Sequence, residues 1–277
     1  MNIKNSEFKL ILEIPEEKIT IQDLDIDYII VKTTGKEPDI AHINIWNLEE
    51  SIYANLIENN SKIYIYTEYN NNERNLLFNG YIDSKHIIRT PIITSKYITN
   101  DIPTDILTNL KIINTKKQLE NSFINIDYRG EIPAQKIIDD CIQAMGLGKI
   151  IINSNLPNKL YPTFKAKGKP NRILDSICSS LEIPYLIKNE IVYLGYPNSD
   201  TETPKIVTLS EENSKILLYK NENKIKIITK LTPELEPYDY VLCNFTDLEG
   251  YCCVSGIYSN GNNYDTAGIT EIIIKPD

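Results

Sequence analysis

Gly146-Leu147-Gly148-Lys149 is the stretch that comes nearest to a phosphate-binding loop. Such a loop cradles phosphate with backbone N–H groups and needs an earlier glycine, a lysine, and then Ser or Thr for magnesium. Gln143 stands where the earlier glycine belongs and Ile150 where the hydroxyl belongs. The stretch also follows a helical pattern instead of opening one, so it reads as a helix stop and turn. Asp23-Leu24-Asp25-Ile26-Asp27 has the carboxylate spacing that begins a calcium loop, but Tyr28 replaces the sharp-turn glycine and Thr34 the bidentate glutamate. On a strand, the three carboxylates would share one wet face.

Acid–base and nucleophilic chemistry has little to work with. The chain holds 2 His, His42 and His86, in no His-Glu-x-x-His pattern, and there is no Gly-x-Ser-x-Gly elbow. His42 alternates with strand residues and reads as a surface or interface side chain. Asp139-Asp140 falls on the polar face of a helix and reads as solvated. Of the 5 Cys, Cys141 and Cys178 lie in apolar helical stripes. A turn centred between Asp247 and Leu248 sets Cys243 opposite Cys252, with Cys253 on the other face. A cross-strand disulfide is conceivable there, and small buried hydrophobes in a reducing cytoplasm are the simpler reading. The expectation is no catalytic residue, no cofactor and no metal.

Three regions position these residues. The first, 1–113, reads as strands, with Phe8, Leu10, Leu12 and Ile14, then Ala41, Ile43 and Ile45, then Ile63, Ile65 and Thr67 alternating with their neighbours. Asn47-Leu48-Glu49-Glu50 is expected to cap a short helix running to Leu56. Asn70–Asn75 links the strand before it to Leu76–Asp83 as a hairpin. In the second region, 114–197, Ile137, Ile138, Cys141, Ile142 and Met145 form a helical stripe, entered at Pro133 and stopped at Gly146. Ile173, Leu174, Ile177, Cys178 and Leu181 repeat it and end before Pro184. A hairpin of Tyr185–Lys188 and Ile191–Leu194 turns at Asn189-Glu190. The third region, 198–277, follows a polar link over Pro197–Pro204 and returns to strands at Ile225–Thr229, Asp239–Phe245, Tyr251–Ser259 and Ile269–Ile274. The expected fold class is α+β, mainly β: two small β-barrel-like domains flanking a small helix-containing α/β domain.

The 277 residues carry 29 Lys+Arg against 38 Asp+Glu, a net charge of −9. That balance argues against a protein whose work is gripping nucleic-acid phosphates. Hydrophobic residues at 42% exclude wholesale disorder. No apolar run reaches the roughly 20 residues of a membrane span, and the start, Met1 to Glu7, has no apolar core of a signal peptide. The 49 Ile and 30 Asn against 5 Val and 6 Ala match AT-rich coding as well as strand preference.

Several phrases resemble the tail hub, or baseplate hub, proteins of bacteriophages and related contractile particles. Ala41–Leu48 resembles that family's strand ending in Asn-Leu, here Asn47-Leu48. Leu77-Phe78-Asn79-Gly80-Tyr81-Ile82 resembles its barrel-closing strand, through Phe78 and Gly80. Leu231-Thr232-Pro233-Glu234-Leu235-Glu236-Pro237 resembles its Leu-x-Pro-x-Leu-x-Pro-Gly turn, with Tyr238 in place of the glycine. Gly250-Tyr251-Cys252-Cys253-Val254 resembles its next strand. Asn260–Gly268, with Gly261 and Gly268, resembles its Gly-Asp-like loop, with Asn262 in place of the aspartate. The order and spacing of these phrases cover nearly the whole chain. Pro233 and Pro237 stiffen a strand entry, and Gly80 and Gly250 mark bends, so these are fold positions.

The resemblance implies a homotrimer whose two barrel-like domains per chain present six similar surfaces, joining a sixfold tail tube to a threefold spike or tail tip. The implied partners are the chain itself, the tail tube protein, the spike or tail-tip protein and the tape-measure protein, with no membrane anchor. DNA at most passes through the channel, which a −9 charge would keep from sticking. The implied place is the virion tail, after synthesis in the host cytoplasm. Tyr64, Tyr66 and Tyr69 suit interfaces. Two other readings compete: a tail-associated peptidoglycan hydrolase, whose two carboxylates need no local motif, and a carbohydrate- or receptor-binding tail module.

Overall fold

The computed structural model describes residues 8–34, 38–58, 62–69, 74–83, 86–92, 105–115, 122–151, 156–188, 190–195, 207–219, 224–263 and 268–275. The chain packs as two compact units, one of Met1–Thr33, Asp39–Asn114 and Lys205–Asp277, the other of Thr34–Pro38 and Thr115–Pro204. In the first unit, Ile-rich alternation builds β1 (Phe8–Ile14), β2 (Ile19–Ile21), β3 (Ile26–Thr33), β4 (Ile40–Trp46), β5 (Lys62–Tyr69), β6 (Arg74–Ile82), β7 (Ile88–Ile92) and β8 (Asp105–Ile113). On β4, Ala41, Ile43 and Ile45 are fully buried while His42 is exposed, as a period of two requires. The hairpin of β5 and β6 pairs antiparallel, Ile63 opposite Gly80 and Ile65 opposite Phe78; its Asn70–Glu73 link lies outside the described residues. Strand β3 begins at Ile26, so Asp27 alone of the three carboxylates lies on it, and Asp23 and Asp25 occupy the bend before it.

Helix α1 (Glu50–Glu58) starts beyond the expected cap. Asn47 takes a left-handed backbone (φ 55°) and turns to β8 instead. Its N–H donates to the Ile106 carbonyl at 2.7 Å, and its Oδ1 accepts from the Ile106 N–H at 3.0 Å. A short Asn side chain mimics a backbone group and tolerates this conformation, which made the strand edge a better partner than the helix end.

The second unit contains β9 (Ile124–Pro133), α2 (Ala134–Ala144), β10 (Gly148–Ile151), β11 (Leu160–Gly168), α3 (Pro170–Ser180), β12 (Tyr185–Lys188) and β13 (Ile191–Leu194). Both helical stripes face one core, where Ile137, Ile138, Cys141, Ile142, Met145, Leu174, Ile177 and Cys178 are buried. Pro133 stands at the N-cap of α2, Pro170 within the first turn of α3, and Gly146 ends α2 with φ 68°. Strand β13 pairs antiparallel with β12 and parallel with β10; Asn189 of the intervening turn lies outside the described residues. The ribbon of β9 and β11 was not among the expected strands, although Ile124, Ile126 and Tyr128 alternate with Asn125, Asp127 and Arg129 along β9.

The first unit resumes with β14 (Val207–Ser210), β15 (Ser214–Tyr219), β16 (Lys224–Lys230), β17 (Tyr240–Phe245), β18 (Leu248–Asn262) and β19 (Ile269–Lys275). The Pro197–Pro204 link lies outside the described residues. The fold is α+β, mainly β, but the two β-rich regions share a single 14-stranded sheet in place of two separately closed barrels. The ladder runs β15-β16-β19-β18-β3-β4-β8-β6-β5-β1-β2. The physical reason is the 15-residue β18. Its first part pairs with β17, its last part with β3, and a bulge between Val254 and Gly256 bends it between the two. Two cores result, one around Tyr28, Ile30, Ile43, Ile65 and Phe78, the other around Val241, Cys243, Val254, Ile257 and Ile272.

Candidate assembly interface

The Leu231–Pro237 turn joins those two cores. Leu231 is buried in the first, with Leu48 and Phe78, whereas Leu235 is buried in the second. Each such leucine is worth about 2 kcal/mol of transfer free energy. Polar contacts hold the turn between them. Lys32 Nζ of β3 donates to Glu236 Oε1 at 2.9 Å, the Thr232 N–H to Thr270 Oγ1 at 3.0 Å, and the Glu236 N–H to Asp239 Oδ2 at 2.8 Å. Pro233 and Pro237 fix φ on either side of Leu235. Tyr238, at the family's glycine position, has φ 74°. Its N–H donates to the Val254 carbonyl at 2.7 Å, and Val254 donates back to Asp239 at 2.8 Å, which starts the β17–β18 pairing.

The remaining singled-out glycines sit at close approaches or turns. A Cβ on Gly80 would lie 2.4 Å from the Ile113 carbonyl oxygen. Gly261 and Gly268 face each other, and the Tyr28 hydroxyl closes over both: a Cβ on Gly268 would meet it at 2.3 Å. Gly250, just past the β17–β18 turn, has open space but φ 119°. Beside this group, Asn263 clasps the start of β3, its Oδ1 accepting from the Ile26 N–H at 2.8 Å and its Nδ2 donating to the Leu24 carbonyl at 2.6 Å. Sequence reasoning missed Asn263, and the Asn-rich composition hid it. Residues 264–267 of the loop lie outside the described residues.

Away from the cores, the sheet presents a broad face. One cross-strand row reads Lys215, Ile228, Glu271, Tyr258, Val31, Ile40, Ile113, Tyr81 and Lys62 through nine strands. The neighbouring row carries Ile269, Asn260, Ile29, His42 and Lys111, with Ile29 40% and Ile269 39% exposed. On β5, Tyr64 and Tyr66 stack at 6.3 Å, and Lys62 stands 5.3 Å from the Tyr64 ring and 5.9 Å from that of Tyr81. Arg74 pairs with both Glu13 at 2.6 Å and Glu68 at 3.2 Å. The side chain of Tyr69 lies outside the described residues. A wide, half-buried surface of Ile, Tyr and charge has the composition of a protein interface.

The chemistry-bearing residues are placed in structural roles. Burial first, then the Lys111 charge, lowers the His42 pKa below 6.5. His86 Nδ1 lies 2.6 Å from Asp83 Oδ2. Asp139 and Asp140 are not free on a solvated face: Asp140 accepts from Tyr128 and Lys136, and Asp139 from Lys149 at 2.8 Å and Gln135 at 2.9 Å. They are held because α2 lies against β9, which carries Tyr128. Lys149 is thus an ion-pair partner of a helix, and Gly148 opens β10. Cys243 is opposite Gly250, not Cys252, which faces Val241. The turn is Thr246-Asp247, one residue earlier than expected, which moves the register by two and leaves the thiols diagonal. Burial pushes the Cys141, Cys178 and Cys243 thiols up to about 12. Among the described residues, no group of three or more His, Cys, Asp or Glu could hold a metal ion, and no helix is long and apolar enough to cross a membrane.

No protein-family model and no curated protein sequence matches the chain. Its fold, however, is that of phage tail proteins. It is similar to the 43 kDa tail protein of prophage MuSo2 from Shewanella oneidensis at 8% identity and TM-score 0.66, over 96% of this chain and 97% of that one. A tail protein from Neisseria meningitidis MC58 aligns at 10% identity and TM-score 0.65, over 98% and 97%. An E. coli component of the type VI secretion system, described as structurally similar to bacteriophage T4 tail proteins, aligns at 8% identity and TM-score 0.57, over 100% of this chain and 76% of that one.

Proposed function

We propose that the chain is a structural tail or baseplate hub protein of a phage or phage-derived injection particle. The likeness of nearly its full length to tail proteins supports this reading most directly. Three copies form a ring in which residues 1–113 and 198–277 supply two similar ring-forming halves per chain, and 114–197 an appended α/β domain. Six such halves match a sixfold tail tube on one side, and three chains match a spike or tail tip on the other. The long cross-strand face with Ile29, Ile269, Tyr64 and Tyr66 is the surface suited to these contacts. The work is assembly, without a reaction.

Mass in solution together with the tail tube protein, and the position of the chain in assembled particles, test this. A threefold ring between tube and spike is expected. A chain absent from that ring, or one lysing peptidoglycan in a zymogram through a single acidic residue, overturns it.

A further inference from the structure

Charge is divided unevenly along the chain. The first unit holds 17 Lys+Arg against 27 Asp+Glu, and the second 12 against 11, so the units carry −10 and +1. Within the second unit, 141–174 contains Lys149, Lys159, Lys165, Lys167, Lys169 and Arg172 and not one Asp or Glu. Folding gathers part of this run on one face of the β9–β11 ribbon. Thr163 stands opposite Arg129, Lys165 opposite Asp127 and Lys167 opposite Asn125. The other face, with Ile126, Tyr128 and Phe164, packs into the core. Asp127 meets Lys165 at 3.2 Å, and the exposed Glu131, at the irregularity beside Arg129, is the other carboxylate of the ribbon. Arg129, Lys169 and Arg172 have no carboxylate partner among the described residues. Phe123, 61% exposed, lies under Lys167 at 6.0 Å, and Leu160 at the far end is 54% exposed. Cations beside uncovered apolar groups are the makings of an interface with an acidic protein surface.

The complement lies on the first unit of the same sequence. The Thr246-Asp247 turn and the neighbouring Glu211-Glu212 bring together Glu211, Glu212, Asp247 and Glu249, all exposed, with no Lys or Arg in 207–214 or 244–251. Glu211 Oε1 accepts from the Thr246 hydroxyl at 2.7 Å and from its N–H at 3.1 Å, which fixes the cluster to the hairpin. Tyr251, 52% exposed, shares a face of β18 with Glu249 and offers an apolar counterpart to Phe123.

From this complementarity we infer that the basic face of the β9–β11 ribbon docks on the acidic β17–β18 hairpin tip of a second copy. The contact is heterologous, one surface against a different one, and such contacts form a ring when the rotation between copies closes. It therefore rests on the trimeric reading above and gives the ring a head-to-tail sense.

The test is the mass of the full chain by sedimentation at near-physiological salt, with circular dichroism and Tm as controls for folding. The wild type sediments as a closed oligomer that weakens as salt rises. Arg129→Glu/Lys165→Glu/Lys167→Glu reduces it to monomer, and so does Glu212→Lys/Asp247→Lys/Glu249→Lys. All six changes in one chain restore the oligomer. A monomeric wild type, a ribbon variant that keeps the wild-type mass, or a sixfold variant that stays monomeric overturns the inference. So does a ribbon variant whose loss is confined to binding a DNA duplex or phosphatidylglycerol vesicles. The hub reading fails separately, by absence from the ring in particles.

Discussion

Lys32 and Glu236 are 204 positions apart and meet at 2.9 Å, their side chains 7% and 28% exposed. The pair ties β3 to the turn that divides Leu231 and Leu235 between two cores. Removing the carboxylate strands an almost fully buried ammonium, whereas removing the ammonium leaves a carboxylate that water still reaches. Glu236→Ala is therefore expected to cost about 3 kcal/mol in chemical denaturation and Lys32→Met less than half of that. Equal losses, or a double variant as unstable as Glu236→Ala alone, would contradict this account.

Tyr238 occupies a conformation that L-residues adopt at a cost of roughly 1–2 kcal/mol. Tyr238→Gly relieves that strain while giving up the half-buried ring, so its Tm stays within a few degrees of wild type. A β-branched residue is strained further, and Tyr238→Val should lose about 2 kcal/mol. Thermal unfolding of the two variants distinguishes them, and a Val variant as stable as the Gly variant removes the backbone argument.

Gly268→Ala and Gly250→Ala both place a Cβ on a left-handed backbone, with φ 96° and 119°. They differ in space. At Gly268 the Cβ would also lie 2.6 Å from the Asn260 carbonyl oxygen and against Tyr28, whereas nothing lies within 4 Å at Gly250. Gly250→Ala should cost about 1 kcal/mol, and Gly268→Ala at least about twice that. Urea midpoints of the pair check the order.

His42 has its folded pKa lowered from 6.5, so the native state favours the neutral ring. Its contribution is fully present above pH 6.5 and is lost as pH falls through 6.5 toward the lowered folded value. A shallow decline in Tm below pH 6.5 follows, and His42→Gln should flatten it. A decline unchanged in the variant would place its origin elsewhere. The ring is exposed, so the slope is small.

Much of the fold was legible because strand and helix periods are local. The Ile137–Met145 and Ile173–Leu181 stripes, the inward Ala41, Ile43 and Ile45, and the β5–β6 hairpin all follow from side-chain direction alone. The Cys243 register was not, since placing a turn one residue too late shifts every partner by two, and Thr246-Asp247 carries no glycine to mark it. Asn47 shows the same limit: its composition suits a helix cap and a strand-edge clasp equally, and only the nearness of Ile106 decides.

By itself, the sequence determined the mainly β character, the two amphipathic helices, the scarcity of imidazole and phosphate-loop chemistry, and the phrases that resemble tail hubs. Each depends on residue type and short spacing. The tertiary structure alone decided that β18 would carry one sheet through both β-rich regions, that Leu231 and Leu235 would enter different cores, and that Asn263 would fasten the start of β3, 237 positions away. Those choices depend on which distant strands meet. An Ile-rich alternation fits any partner with the same period, so the selection falls to a bulge, a turn and a few polar side chains whose roles exist only once the chain has closed on itself.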